Sequence, residues 1–254
     1  MNGAVAFRTI LVKEIRRYLR IWLQTILPPM ITTALYFIIF GQLIGSQIGA
    51  IAGHSYMDYI VPGLILMAVI TNSYANVVSS FYGAKFSHYV EELLIAPIPN
   101  SLILLGYVAG GVARGITVGA AVTLVAMFFT TFHIHNLAVV LAVVLLTSVL
   151  FSLGGFINAV YAKSFDDISI IPTFVLTPLT YLGGIFYSID MLPPFWRDVS
   201  LLNPILYMIN AFRYGLLGVT DIALTTAFGV TALFIALLFA YALLLLRRGV
   251  GLKH

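Results

Sequence analysis

The sequence predicts an all-α, polytopic membrane protein with about six transmembrane helices, an N-terminal amphipathic helix, a short charged helix between two spans and a re-entrant outer hairpin before the last span. Three observations predict it. Of the 254 residues, 61% are hydrophobic and 9% charged, against roughly 25% charged in soluble proteins. Six apolar stretches reach the roughly 20 residues that a helix needs to cross a hydrocarbon core of about 30 Å. Lysine and arginine gather in segments that share one side if the spans number six.

The N-terminal stretch 6–22, AFRTILVKEIRRYLRIW, puts Phe7, Leu11, Tyr18, Leu19 and Trp22 near one helical face, with Arg8, Lys13, Arg16, Arg17 and Arg20 largely on the other. This is the pattern of a basic amphipathic helix lying at a membrane interface. The run that follows is too long for the apolar segment of a cleaved signal peptide, so uncleaved insertion is expected. The spans are then Trp22–Ile44, Ile60–Phe81, Leu102–Phe132, Leu137–Tyr161, Ile168–Tyr187 and Ala227–Leu246. Pro28 and Pro29 either kink the first span or mark where the surface helix turns into it. In the third, Gly106 and Gly110, and then Gly111, Gly115 and Gly119, recur four apart, a spacing that lets helices approach closely. Arg114 lies in the same stretch, and an arginine inside a span is a functional candidate because lipid penalises it; snorkelling to the inner surface is the alternative.

Between the second and third spans lies HYVEELLIAPIPN, residues 88–100, whose Glu91 and Glu92 are an adjacent acid pair in a chain averse to charge. Ser164 and Asp167 in KSFDDIS suit a helix N-cap. His133 and His135 lack a third group that would make them a metal site. The apolar region Met191–Leu217 is broken by Pro193, Pro194 and Pro204 and carries Arg197, Asp198 and Arg213. It is expected to be re-entrant, since irregular backbone at membrane depth must be buried in protein or face water. Basic residues before the first span, Lys85, Lys163, and Arg247, Arg248 and Lys253 after the last place both termini in the cytoplasm.

Composition and motifs exclude much chemistry. Cysteine is absent, which removes disulfides, thiolate nucleophiles and cysteine-bound metals. The net charge of +4 reads as membrane topology, and no nucleic-acid partner is expected. The histidines fall in predicted loops or at the end, against a nucleophilic membrane enzyme. No acid falls within a predicted span, against an ion-coupled carrier. No lysine follows a glycine, so a phosphate-binding G-x-x-x-x-G-K-[ST] loop is missing and any nucleotide must be bound by another chain.

The stretches YMDYIVPGLILM at 56–67, EELLIAPIPNSLILLGYVAGGVARG at 91–115 and PLTYLGGIFYSIDMLPPFWRDVSLLNPILYMINAFRYGLLG at 178–218 resemble the permease subunits of ABC-2-type ATP-binding-cassette transporters. NPILYMINAFRYGLLG is the most specific part, and the similarity runs from about Arg20 to Leu246. The resemblance implies a single transmembrane domain over 1–254, divided into a connector helix at 1–21, a six-span bundle at 22–246 and a basic tail at 247–254. It implies two such chains per transporter in a bacterial inner membrane, with two ATPase subunits that hold ATP and magnesium; this chain binds neither. It also implies that His88 to Pro97 is a coupling helix, in which Glu91 and Glu92 pair with polar groups of the ATPase while Leu93, Leu94 and Ile95 supply apolar contact. Arg16, Arg17 and Arg20 fall in the connector helix. The outer hairpin, Leu192–Gly218, would act as a gate, with Asn203 and Pro204 at its break and Tyr207, Arg213 and Tyr214 holding it at the interface. Two other classes, an ion-coupled secondary carrier and a non-transporting membrane scaffold, predict respectively flux without ATPase and binding without flux.

Overall fold

The computed structural model describes residues 3–131 and 133–251; Phe132, at the predicted close of the third span, and Lys253, in the basic tail, lie outside the described residues. Helix α1 (Gly3–Arg20) gives way at Ile21, whose backbone leaves the helical region, to α2 (Trp22–Tyr36). Pro28 and Pro29 therefore sit inside the span, and the turn into it is made before them. The helix continues through a π-helical stretch, Phe37–Ile44, into α3 (Gly45–Ile48). A two-residue antiparallel ladder follows, β1 (Ala50–Ile51) against β2 (His54–Ser55), the one exception to helix among the described residues. Gly49 and Gly53, both at positive φ, supply the left-handed backbone that closes so tight a turn.

Helices α4 (Tyr56–Phe86), α5 (Tyr89–Ile95), α6 (Asn100–Ala126) and α7 (Leu137–Tyr161) come next. The run α8 (Asp167–Ile171), a π-helical turn at Pro172–Leu176 and α9 (Thr177–Tyr181) leads to α10 (Pro194–Leu201), α11 (Pro204–Leu217) and α12 (Leu224–Arg248). Five helices among the described residues are long and apolar enough to cross a membrane: Trp22–Gly41, α4, α6, α7 and α12. The predicted fifth span, Ile168–Tyr187, is helical only to Tyr181, about 22 Å of rise against a core of about 30 Å. Pro172 and Pro178 remove backbone donors there, and Gly184 at φ 76° ends the segment. Ser164 and Asp167 cap its start reciprocally: the Asp167 amide donates to Ser164 Oγ at 3.1 Å, and the Ser164 amide to Asp167 Oδ2 at 3.0 Å.

Helix α4 is the central post, buried along most of its 31 residues, and α6, α7, α11 and α2 pack around it. The glycines of α6 set the distances. A Cβ at Gly119 would lie 2.7 Å from Val69 of α4, and one at Gly111 or Gly115 would overlap the hydroxyls of Ser152 and Ser73. The other glycine pair receives α1: a Cβ at Gly106 would meet Ile10 at 2.7 Å, and one at Gly110 would meet Glu14 at 2.5 Å.

These contacts correct the expected apolar face of α1. The helix runs alongside α6 in the same direction, from Gly3 beside Leu102 to the Tyr18 hydroxyl 3.2 Å from Thr117. Its buried stripe is Ala6, Ile10, Glu14 and Tyr18, while Leu19 and Trp22 point outward. Arg8, Lys13, Arg16 and Arg20 are exposed, and lipid would penalise each of them.

Candidate functional site

At one end of the bundle, α4 stops at Phe86 and the chain reverses through His88, whose φ of 61° is an uncommon left-handed conformation for a residue with a side chain. His88 Nδ1 lies 3.1 Å from Glu91 Oε1, which ties the reversal to the first turn of α5. Ala96 is already extended, and Pro97 and Pro99 keep the chain from continuing as helix. Burial divides this short helix. Val90 is in the core, Leu93 and Leu94 pack partly buried against it, and Glu91, Glu92, Tyr89 and Pro97 are exposed, as is Ile95 at 85%. Leu93 and Leu94 thus fasten α5 to its own chain, and Tyr89 and Ile95 are its exposed apolar side chains.

The corner is braced by Lys85, whose ammonium donates to the carbonyls of Val160 and Ala162 at 2.7 Å each. A cation there satisfies carbonyls left unpaired where α7 ends and meets the negative end of its dipole. Phe165 stacks edge-on against Tyr82 and Phe86, with centroids 4.9 and 5.2 Å away. Lys85, Phe86, His88, Tyr161 and Lys163 line a cavity of about 530 Å³ beside α5, and Gly251 closes one side of it. The α4–α5 and α7–α8 corners, the start of α6 and the end of α12 therefore share one end of the molecule.

Of the three connector arginines, Arg16 and Arg20 point outward and Arg17 turns in. Arg17 Nη2 donates to the Asn76 carbonyl at 2.8 Å and to Asn76 Oδ1 at 2.9 Å, and pairs with Glu14 Oε2 at 3.3 Å. Glu14 is fully buried. Its other oxygen accepts from the Ser80 hydroxyl at 2.6 Å, and Asn76 Nδ2 donates to Oε2 at 3.4 Å. This is the arrangement a buried carboxylate requires, since an unpaired one costs several kcal/mol. One turn of α4 further along, Asn72 accepts at Oδ1 from Arg114 Nη2 at 3.1 Å.

The outer-hairpin residues lie around the other end of α4. Asn203 caps α11, accepting from the Ile205 amide at 3.0 Å and donating to the Leu179 carbonyl at 2.5 Å, and Pro204 opens the helix. Tyr207 donates to the Leu201 carbonyl at 2.8 Å. Tyr214 meets the His135 ring edge-on at 5.2 Å. Arg213 is fully buried within the chain, donates to the Gly184 carbonyl at 2.6 Å and stands 3.9 Å over the Tyr59 ring. Among the described residues no cluster of His, Asp and Glu could hold a metal.

The residues singled out in the sequence thus fall into three groups strung along α4. Sequence reasoning missed Glu14, Asn72, Asn76 and Ser80. The available signal was an acid three residues before an arginine in an otherwise basic helix, together with amides and hydroxyls on one face of an apolar span.

A bundle of apolar helices around a polar-seamed central post has the build of a multi-pass membrane protein. The family model for the ABC-2 type transporter matches residues 5–217, and the chain belongs to that family. It is 59% identical to the inner membrane transport permease YadH of Escherichia coli K12, over 98% of this chain and 97% of the relative. It is also 24% identical to nodulation protein J of Rhizobium leguminosarum bv. viciae over 89% of this chain and 88% of that one. A second nodulation protein J, from Neorhizobium galegae, is 25% identical over 84% and 82%. The chain is accordingly a multi-pass inner-membrane transport permease, of a kind that works with an ATPase partner.

Proposed function

We propose that two copies of this chain form the translocation pathway of an ATP-driven exporter, powered by two copies of a separate ATPase that binds ATP and magnesium. The observation that carries this reading is α5: a short helix fixed to the bundle by Val90, Leu93 and Leu94, presenting Tyr89, Glu91, Glu92 and Ile95 outward. Helix α5 joins the central post to α6 directly, so a push on it reaches the core without passing through a flexible linker. Both termini are cytoplasmic in this reading, on the side that carries Lys85, Lys163 and the connector arginines. The outer hairpin is the gate, with Asn203 and Pro204 at its break. A single chain encloses little room for a large cargo, and a two-fold interface supplies it. Export is supported by family membership.

The test is co-purification with the ATPase encoded beside this gene, followed by ATP hydrolysis and vectorial transport in proteoliposomes. Reversing Glu91 and Glu92 to lysine together is expected to weaken complex formation about tenfold, the scale of lost charge pairs at an interface, and to lower transport per ATP hydrolysed. Unchanged assembly and coupling would overturn the assignment of α5. Flux driven by an ion gradient without ATPase would replace the reading with a secondary carrier, and binding without flux with a scaffold.

A further inference from the structure

Charge does not balance along the polar seam of α4. Glu14 is taken by Arg17. Arg114 has no carboxylate within ion-pair distance among the described residues, its Nε is buried without a hydrogen-bond partner, and its only hydrogen bond is to the neutral Asn72. A guanidinium carries five donors and cannot shed its proton. Arg114 is part-buried, and a single neutral acceptor leaves most of its donors free to meet an anion.

Its surroundings say what kind. Asn72 also lines a groove of about 270 Å³ between α2 and α4, whose walls include Pro28, Thr32, Tyr36, Leu64 and Met67. Asn72 and Thr71 line one end, where the Asn72 side chain holds Arg114 by its hydrogen bond; Thr32 and Thr33 line the α2 side, and Leu64, Met67 and Tyr36 supply an apolar wall. The groove runs from Asn72 and Pro28 at one end to Leu64 and Tyr36 at the other. A cationic end and a slot with an apolar wall are complementary to one molecular shape.

We infer that Arg114 and Asn72 form a site for the anionic head group of an amphipath, with a phosphate, sulfate or carboxylate on Arg114 and an alkyl chain in the α2–α4 groove. The anion completes the guanidinium through charge-assisted hydrogen bonds, and its tail exchanges lipid for the walls of the groove. This rests on the exporter reading only in making the amphipath a cargo; binding itself needs no ATPase. A resident anionic lipid would use the same chemistry.

The probe is radiolabelled dodecyl phosphate, titrated onto the purified full chain in nanodiscs of zwitterionic lipid, with dodecylphosphocholine as the competitor of equal tail length. Saturable binding is expected, with the phosphocholine at least about tenfold weaker as a competitor and Arg114→Gln weakened by a similar factor, the scale of one charged hydrogen bond. Asn72→Asp keeps the side-chain size and supplies Arg114 with an internal carboxylate, so it is expected to abolish binding in a chain that remains folded. Binding that Asn72→Asp leaves unchanged, or that does not distinguish the two probes, would overturn the site. With the ATPase present, ATP-driven movement of the probe identifies cargo, and retained static binding identifies a resident lipid; each supports the site. Movement that is insensitive to Arg114→Gln and Asn72→Asp would remove the site while leaving the exporter intact.

Discussion

Replacing Glu14 with alanine is expected to destabilise the folded chain by about 3–5 kcal/mol, the range for breaking a buried ion pair by removing one partner. Three groups lose an acceptor at once: the Arg17 guanidinium, which keeps only neutral ones, the Ser80 hydroxyl and the Asn76 amide. Methylene contact with Gly110 is lost as well, leaving a gap between α1 and α6. Glu14→Gln retains the volume and an oxygen for Ser80, and is expected to cost about half as much, since only the charge is removed. The measurement is the unfolding midpoint in a dodecyl maltoside and sodium dodecyl sulfate titration. A shift worth less than about 1 kcal/mol, the range of surface pairs, would mean that Glu14 is solvated in the membrane-bound protein.

Replacing Gly115 with valine is expected to have a still larger effect, loss of the folded monomer. A Cβ there overlaps the Ser73 hydroxyl and comes within 2.9 Å of Ser148 Oγ, so α4, α6 and α7 would have to separate. Close-packed interiors absorb such overlap poorly. The comparison is Gly229→Ala in α12, where an added methyl meets nothing within 4 Å. That change is expected to be neutral or to stabilise by up to about 1 kcal/mol, because alanine is the better helix former. Monodisperse elution on size exclusion separates the two outcomes, and a well-folded Gly115→Val chain would contradict the packing described here.

The spans were legible because bilayer thickness imposes a simple length rule. Leu137–Tyr161 is bounded in the structure as its apolar run predicts, and the four-residue glycine spacing announced the close face of α6. What stayed hidden depended on pairings distant in sequence. Glu14 meets Asn76 and Ser80 across more than sixty residues, and alone in a basic helix it reads as a solvated acid. The inward turn of Leu93 and Leu94 could not be told from the outward turn of Ile95 without the surface against which α5 rests. The path of α1 along α6 was concealed for the same reason: an amphipathic pattern states that a face is covered, and lipid and protein cover it equally well.

Helix α4 meets the Arg213 side chain at Tyr59, the Arg114 side chain at Asn72, the α1 carboxylate at Ser80 and the α7 carbonyls at Lys85. A rod of about 46 Å pivoting near its middle converts angle into displacement at both ends: about 5° of tilt carries each end about 2 Å, in opposite directions. A 2 Å excursion exceeds what most of these hydrogen bonds tolerate. To the extent that α4 moves as one body, a tilt that loosens the contacts at one end displaces those at the other in the opposite sense, which ties the Tyr59 and Lys85 ends into one lever.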